Sequence, residues 1–170
     1  MADITFNTAA GQVIAREMLI AAVKVDSKYY AFGTHVPDSS EEYDWQEETE
    51  KDIRGNTFVT AKTPIITQSF DPLPLLGGNK AIEHVWNVAI KDQDAAAMVA
   101  QDCVILHTYA GTSGSTFAER YDACMVKPTG LGGEGGGNIS MPIEITYGGT
   151  RTVGTGSITG DEVTFTPANG

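Results

Sequence analysis

Gly130, Gly132 and Gly135 in the stretch GLGGEGGG (130–137) satisfy G-x-G-x-x-G, the spacing with which a strand-to-helix turn cradles a pyrophosphate. That chemistry also needs a helix directly afterwards and an acidic residue about 20 positions on for the ribose. Here Gly136-Gly137-Asn138-Ile139-Ser140-Met141-Pro142 follows, which cannot open such a helix, and no Asp or Glu stands near residue 152. A phosphate-binding P-loop would place Lys and Ser/Thr where Gly136 and Gly137 stand. The run reads instead as an extended connection, because glycine tolerates backbone angles that other residues do not. GTSGS (111–115) approaches a nucleophile elbow but has Ser115 where the last glycine belongs, and it lies between two strands. His35, His84 and His107 are too scattered for a metal-ligand spacing. His84 reads as solvated, and His107 as facing either core or water. Asp92-x-Asp94 begins like a calcium loop, but Ala96 and Ala97 occupy the next ligand and glycine positions. No cofactor is implied.

The carboxylates Asp38, Glu41, Glu42, Asp44, Glu47, Glu48 and Glu50 form the densest cluster. They read as a solvated face, a weak divalent-cation site, or a negative wall along a passage. Glycoside cleavage would need paired carboxylates in an aromatic-lined cleft, and Tyr43, Trp45 and Trp86 are too few for one. Asn138-Ile139-Ser140 fits a glycosylation site only formally, since no secretory signal precedes it. No catalytic constellation survives, and the expectation is a structural protein rather than an enzyme.

With 170 residues, 41% of them hydrophobic and 19% charged, the chain can bury one real core and reads as one domain (1–170). Its 19 glycines, with many Thr, Val and Ile, lean towards a β-rich fold. A net charge of −11 repels nucleic acid and anionic membranes, because gripping phosphate takes Lys and Arg. The apolar run Met18–Val23 is far too short to span a bilayer. Cys103 and Cys124 are expected to stay reduced and buried.

Residues 1–15 read as an N-terminal arm and 17–25 as a buried strand. Residues 37–70 read as a long hairpin turning at Arg54-Gly55-Asn56-Thr57, with arms longer than most strands. Asp71-Pro72-Leu73-Pro74 ends it. Over 79–91, Ile82, Val85, Trp86, Ala89 and Ile90 share one helical stripe behind an Asn79 cap. A second helical piece spans 94–100. From 103 onward the chain reads as short strands broken by turns, with a Gly-rich loop at 128–138; Ile143, Ile145 and Tyr147 alternate with Glu144 and Thr146. The order predicts a mainly β fold, a β-sandwich with one flanking α-helix and a long projecting β-hairpin.

TQSFDPLPL (67–75), EHVWNVAIKDQDA (83–95), FAERYDA (117–123) and PTGLGGEGGGNISMPIEITYGG (128–149) together resemble the major tail (tail tube) proteins of long-tailed, non-contractile bacteriophages. The resemblance implies a virion protein, assembled in the bacterial cytoplasm, that forms hexameric rings. In that family, strands from each subunit close an inner β-barrel on assembly. The rings stack into a tube through which DNA is ejected without specific binding. It also implies tape-measure, tail-terminator and distal tail proteins as partners. On that view Glu47, Glu48, Glu50 and Asp52 are expected to face the lumen. Arg54, Gly55 and Asn56 of the turn, with Gly130, Leu131, Gly132, Gly133 and Glu134 of the loop, are expected at subunit contacts. Three other readings remain: a carbohydrate- or cell-surface-binding β-domain, a capsid-decorating or head–tail joining protein, and a metal enzyme using the acidic cluster.

Overall fold

The structure, a computed structural model, describes residues 2–169. After the N-terminal arm and a single 3-10 turn (Arg16–Met18) come β1 (Leu19–Val25) and β2 (Lys28–Ala31). The hairpin region holds β3 (Glu41–Asp44), β4 (Glu48–Lys51), β5 (Thr57–Thr60) and β6 (Ile65–Phe70). Then follow α1 (Lys80–Trp86), a π-helical turn (Asn87–Lys91) and α2 (Ala95–Met98). The rest is β7 (Gln101–Thr112), β8 (Ser115–Pro128), β9 (Ile143–Tyr147), β10 (Arg151–Thr159) and β11 (Glu162–Pro167).

Six strands, in the order β10-β11-β2-β1-β7-β8, close into an antiparallel barrel because β10 pairs back onto β8. The barrel is narrow, and its interior is correspondingly small-residued: Ala22, Ala31, Val104, Leu106, Ala118 and Val163. Gly156 completes this packing by close approach. A Cβ there would press into the Thr164 carbonyl and stand 3.1 Å from Leu106 Cδ1.

β8 is long enough to serve two sheets. Its first half belongs to the barrel, while Met125–Pro128 pairs with β9 and begins a side sheet of order β8-β9-β6-β3. Between the barrel wall and this side sheet lies the main core, with Val23, Ile105, Val126, Ile143, Ile145 and Leu73 fully buried. Each such side chain contributes about 1.5–3 kcal/mol by leaving water. Ile143, Ile145 and Tyr147 do face inwards while Glu144 and Thr146 do not, as alternation required.

The helix caps this core. Asn79 Oδ1 accepts from the Ile82 amide at 3.1 Å, Ile82 and Val85 are buried, and Trp86 and Ile90 pack against them. Asp94 caps α2 in the same manner, through the Ala97 amide. Cys103 and Cys124 are free thiols buried in the main core. The chain is therefore mainly β, with one flanking helix and a projecting hairpin. Barrel closure within a single chain is the addition, since it depends on pairing between β8 and β10, which alternation along one strand cannot show.

Candidate functional site

The hairpin is jointed rather than continuous. β3 and β6 pair from Glu41↔Gln68 to Asp44↔Ile65 inside the side sheet, whereas β4 and β5 form a separate two-stranded ladder beyond it. Between them Gln46 adopts a left-handed backbone, φ 50°, and the Lys62 amide reaches the Trp45 carbonyl at 2.9 Å. The tip corrects the sequence expectation of a two-residue turn at 54–57. Lys51 pairs with Thr57, so residues 52–56 form a five-residue loop. Asp52 organises it, accepting from the Arg54 and Asn56 amides at 2.8 and 2.9 Å and from Asn56 Nδ2. Those bonds, the ones from Asn56 foremost, hold the Asp52 carboxyl below its usual range. Every residue of β4 and β5 is exposed. A two-stranded ribbon with no covered face is marginal in water on its own.

The side sheet has one wet face and two open edges. Glu42 and Asp44 of β3, Thr67 and Ser69 of β6, Glu144 and Thr146 of β9, and Lys127 of β8 point away from the core. On that face Lys127 Nζ lies 3.7 Å from Glu144. β3 is the last strand of the sheet. At the opposite side Met125–Pro128 runs past the start of β7 and, among the described strands, pairs only with β9.

A polar cluster is buried at the hairpin root, between the side sheet and the barrel wall. His107 Nε2 lies 2.8 Å from Glu119 Oε2 and His107 Nδ1 lies 2.8 Å from the Tyr109 hydroxyl. Glu119 Oε1 accepts from Tyr121 Oη at 3.0 Å and Arg151 Nε at 2.7 Å. Burial pushes the Glu119 carboxyl up, but the hydrogen bonds from His107 and Arg151 outweigh it and hold it down at about 2. Gln68 links a second branch: its Oε1 accepts from Tyr147 Oη at 2.7 Å and its Nε2 donates to Ser39 Oγ at 3.0 Å. Glu41 Oε2 accepts from Tyr43 Oη at 2.8 Å. Glu41 is thus the exception to the solvated acidic face expected from sequence, because β3 alternates and turns Glu41 inwards. Its neighbours Tyr43 and Trp45 stack at 6.3 Å on a hollow of about 400 Å³ that Arg151 and Tyr147 also line.

The sequence-predicted residues do not converge on one place. Glu47, Glu48, Glu50 and Asp52 lie exposed on the outer hairpin, as do Arg54, Gly55 and Asn56 at its tip. Gly130, Leu131, Gly132, Gly133 and Glu134 are exposed in the Gly-rich loop, which folds back by a Gly132↔Ser140 bridge and leaves Leu131 and Ile139 uncovered. His84 is not merely solvated: its Nε2 lies 2.7 Å from Gln101 Oε1, since α1 packs across β1 and β8, which flank β7. Sequence reasoning left His107 open and missed Glu119. The signal for the pair, a buried strand bearing His beside one bearing Glu, becomes visible only once register is known. Among the described residues no group of His, Cys, Asp and Glu is arranged to hold a metal ion, and no helix is long and apolar enough to cross a membrane.

No family model matches the chain, and no curated protein matches it. Three solved structures are similar in layout. One is from the sheath-tube complex of the PVC extracellular contractile injection system, at 12% identity, covering 86% of this chain and 94% of that one, with a TM-score of 0.48. The others are the tube-terminating cap of the anti-feeding prophage, at 16% identity, 88% and 95% coverage and a TM-score of 0.49, and the PVC sheath/tube terminator, at 16%, 85% and 99% with the same score.

Proposed function

We propose that this chain is a structural subunit that assembles with copies of itself into the tail tube of a long-tailed bacteriophage. The observation that carries the reading is the side sheet with its two unpartnered edges. Exposed edges invite pairing and are hazardous on a monomer. The sheet has an even number of strands, so β3 and the Met125–Pro128 segment run antiparallel to each other. The β3 edge of one copy can therefore pair with the β8 edge of the next in an all-antiparallel ladder. Such a contact joins two different edges, and repetition closes a ring. The resemblance to tail tube proteins supports a hexamer for that ring, with the side sheets forming an inner barrel distinct from the barrel inside each chain.

In that arrangement the wet face lines the lumen, presenting Glu42, Asp44 and Glu144 to passing DNA. Glu47, Glu48 and Glu50 continue the acidic surface along the hairpin, while Asp52 holds the tip loop in shape. Phosphates meet a wall of like charge and slide rather than adhere. The bare β4–β5 ribbon, with Arg54, Gly55 and Asn56 at its tip, lies on the next ring. The Gly-rich loop, through Leu131 and Glu134, supplies a further subunit contact. Tape-measure, terminator and distal proteins are the expected partners, and the virion tail is the expected location.

Negative-stain microscopy of the purified protein over a concentration series tests this. Hollow tubes or rings are expected. Proline placed singly at positions 41–44 should abolish them, while the monomer stays folded, wherever the lost N–H points away from β6. Rings that persist through the whole proline series would remove edge pairing from the account. A second reading is favoured by the stacked Tyr43–Trp45 pair beside Arg151, which suits a sugar face. It requires a stable monomer with saturable glycan binding that is lost in Trp45→Ala.

A further inference from the structure

We propose that Glu41 is a proton-operated latch: when protonated, its carboxyl completes the buried cluster and clamps the hairpin root to the barrel, and when ionised it lets the root open. Glu41 Oε1 is the one buried side-chain oxygen or nitrogen among the described residues that has no hydrogen-bond partner. An ionised carboxylate with a buried, unpaired oxygen is costly, and a proton removes that charge and turns the oxygen into a donor beside the His107–Glu119 cluster.

The titratable and charged groups around it come from several elements, while its direct partner on β6 is the uncharged Gln68. Tyr43 on its own strand donates to Oε2; His107 and Tyr109 come from β7, Glu119 from β8, and Tyr147 from β9. Arg16 of the 3-10 turn also acts on it, and Arg151 of β10 is bound to Glu119. Burial pushes the Glu41 carboxyl up and the Glu119 charge adds to it, against the Tyr43 hydrogen bond and the charges of His107 and Arg16. The latch also sits at a hinge. β3 ends three residues beyond Glu41, and the chain then kinks at Gln46 before the outer ribbon begins.

The sign follows from linkage. Glu41 releases its proton at a higher pH in the closed root than in the open one. Opening therefore becomes about tenfold easier per pH unit between the ordinary glutamate range and Glu41's own, and is pH-independent below both. The latch operates in a single copy and needs no assembly, so its failure and that of the tube reading are separate results.

Amide hydrogen exchange of residues 41–44 and 65–68, corrected for intrinsic rates and followed from pH 4 to pH 8, tests it. Protection in the wild type should fall with rising pH as above, and Glu41→Gln should be protected at every pH with a flat profile. A flat wild-type profile, or the same slope in the Gln variant, would overturn the proposal. If the Gln variant does not fold, the carbon-13 titration of the Glu41 carboxyl in the wild type decides. A midpoint above the ordinary glutamate range supports the latch, and one within or below that range ends it.

Discussion

Glu119 holds a position opposite in sign to Glu41 although the two share one cluster. Its carboxyl is held at about 2 in the folded chain against an ordinary 4.5. A carboxyl depressed by folding stabilises above its ordinary value, and that contribution drains away as pH falls from about 4.5 towards 2. Urea midpoints measured through this range should therefore drop in the wild type and stay nearly level in Glu119→Gln. At neutral pH, Glu119→Ala leaves the buried His107 without its carboxylate while the half-exposed Arg151 turns to water, and a cost at the low end of the about 3–5 kcal/mol usual for breaking a buried pair is expected in the denaturation free energy. Neither carboxylate could be singled out from sequence. Glu119 lies in FAERYDA and Glu41 in a run of acids, and nothing local distinguishes them from solvated neighbours. What selects them is the alternation of β3 and β8, and a register error of one residue would turn both outwards.

Elements were legible in proportion to how local their causes are. The helix over 80–91 follows from spacing and from the Asn79 cap, and the structure differs only in relaxing to a π-helical turn from Asn87. The strand Lys28–Ala31 went unread, since four residues give too short a pattern to stand apart from the turn before it. The hairpin's joint at 45–47 was equally hidden, because polar alternation continues across it. That joint predicts independence of the outer ribbon. Replacing residues 46–62 by a short turn should leave the thermal midpoint of the monomer within about 2 °C and abolish tube formation, read by scanning calorimetry and microscopy; a surface change away from the core typically lies within ±0.5 kcal/mol. The barrel behaves in the opposite way. Gly156→Ala pushes a methyl group into the Thr164 carbonyl, and overpacking of this kind costs about 1–3 kcal/mol, visible as a lowered midpoint in chemical unfolding.

At the scale of the molecule, charge was the most readable property and topology the least. The excess of acids is plain from composition, and it predicts that duplex DNA is not retained by the assembled protein at physiological salt. A gel-shift series should show no complex, and lowering the salt should not produce the steep rise in affinity that released counterions give. Closure of β10 onto β8 is a long-range pairing, from Arg151↔Tyr121 to Gly156↔Thr116, and no local pattern announces it. That closure also governs how an assembly of such chains is taken apart. In the proposed tube the six barrel strands are already paired within each chain, so only the side-sheet edges and the outer ribbon are shared with neighbours. A tube built this way is masonry, not weaving: its bricks come away whole, and the same bricks can be laid again without refolding.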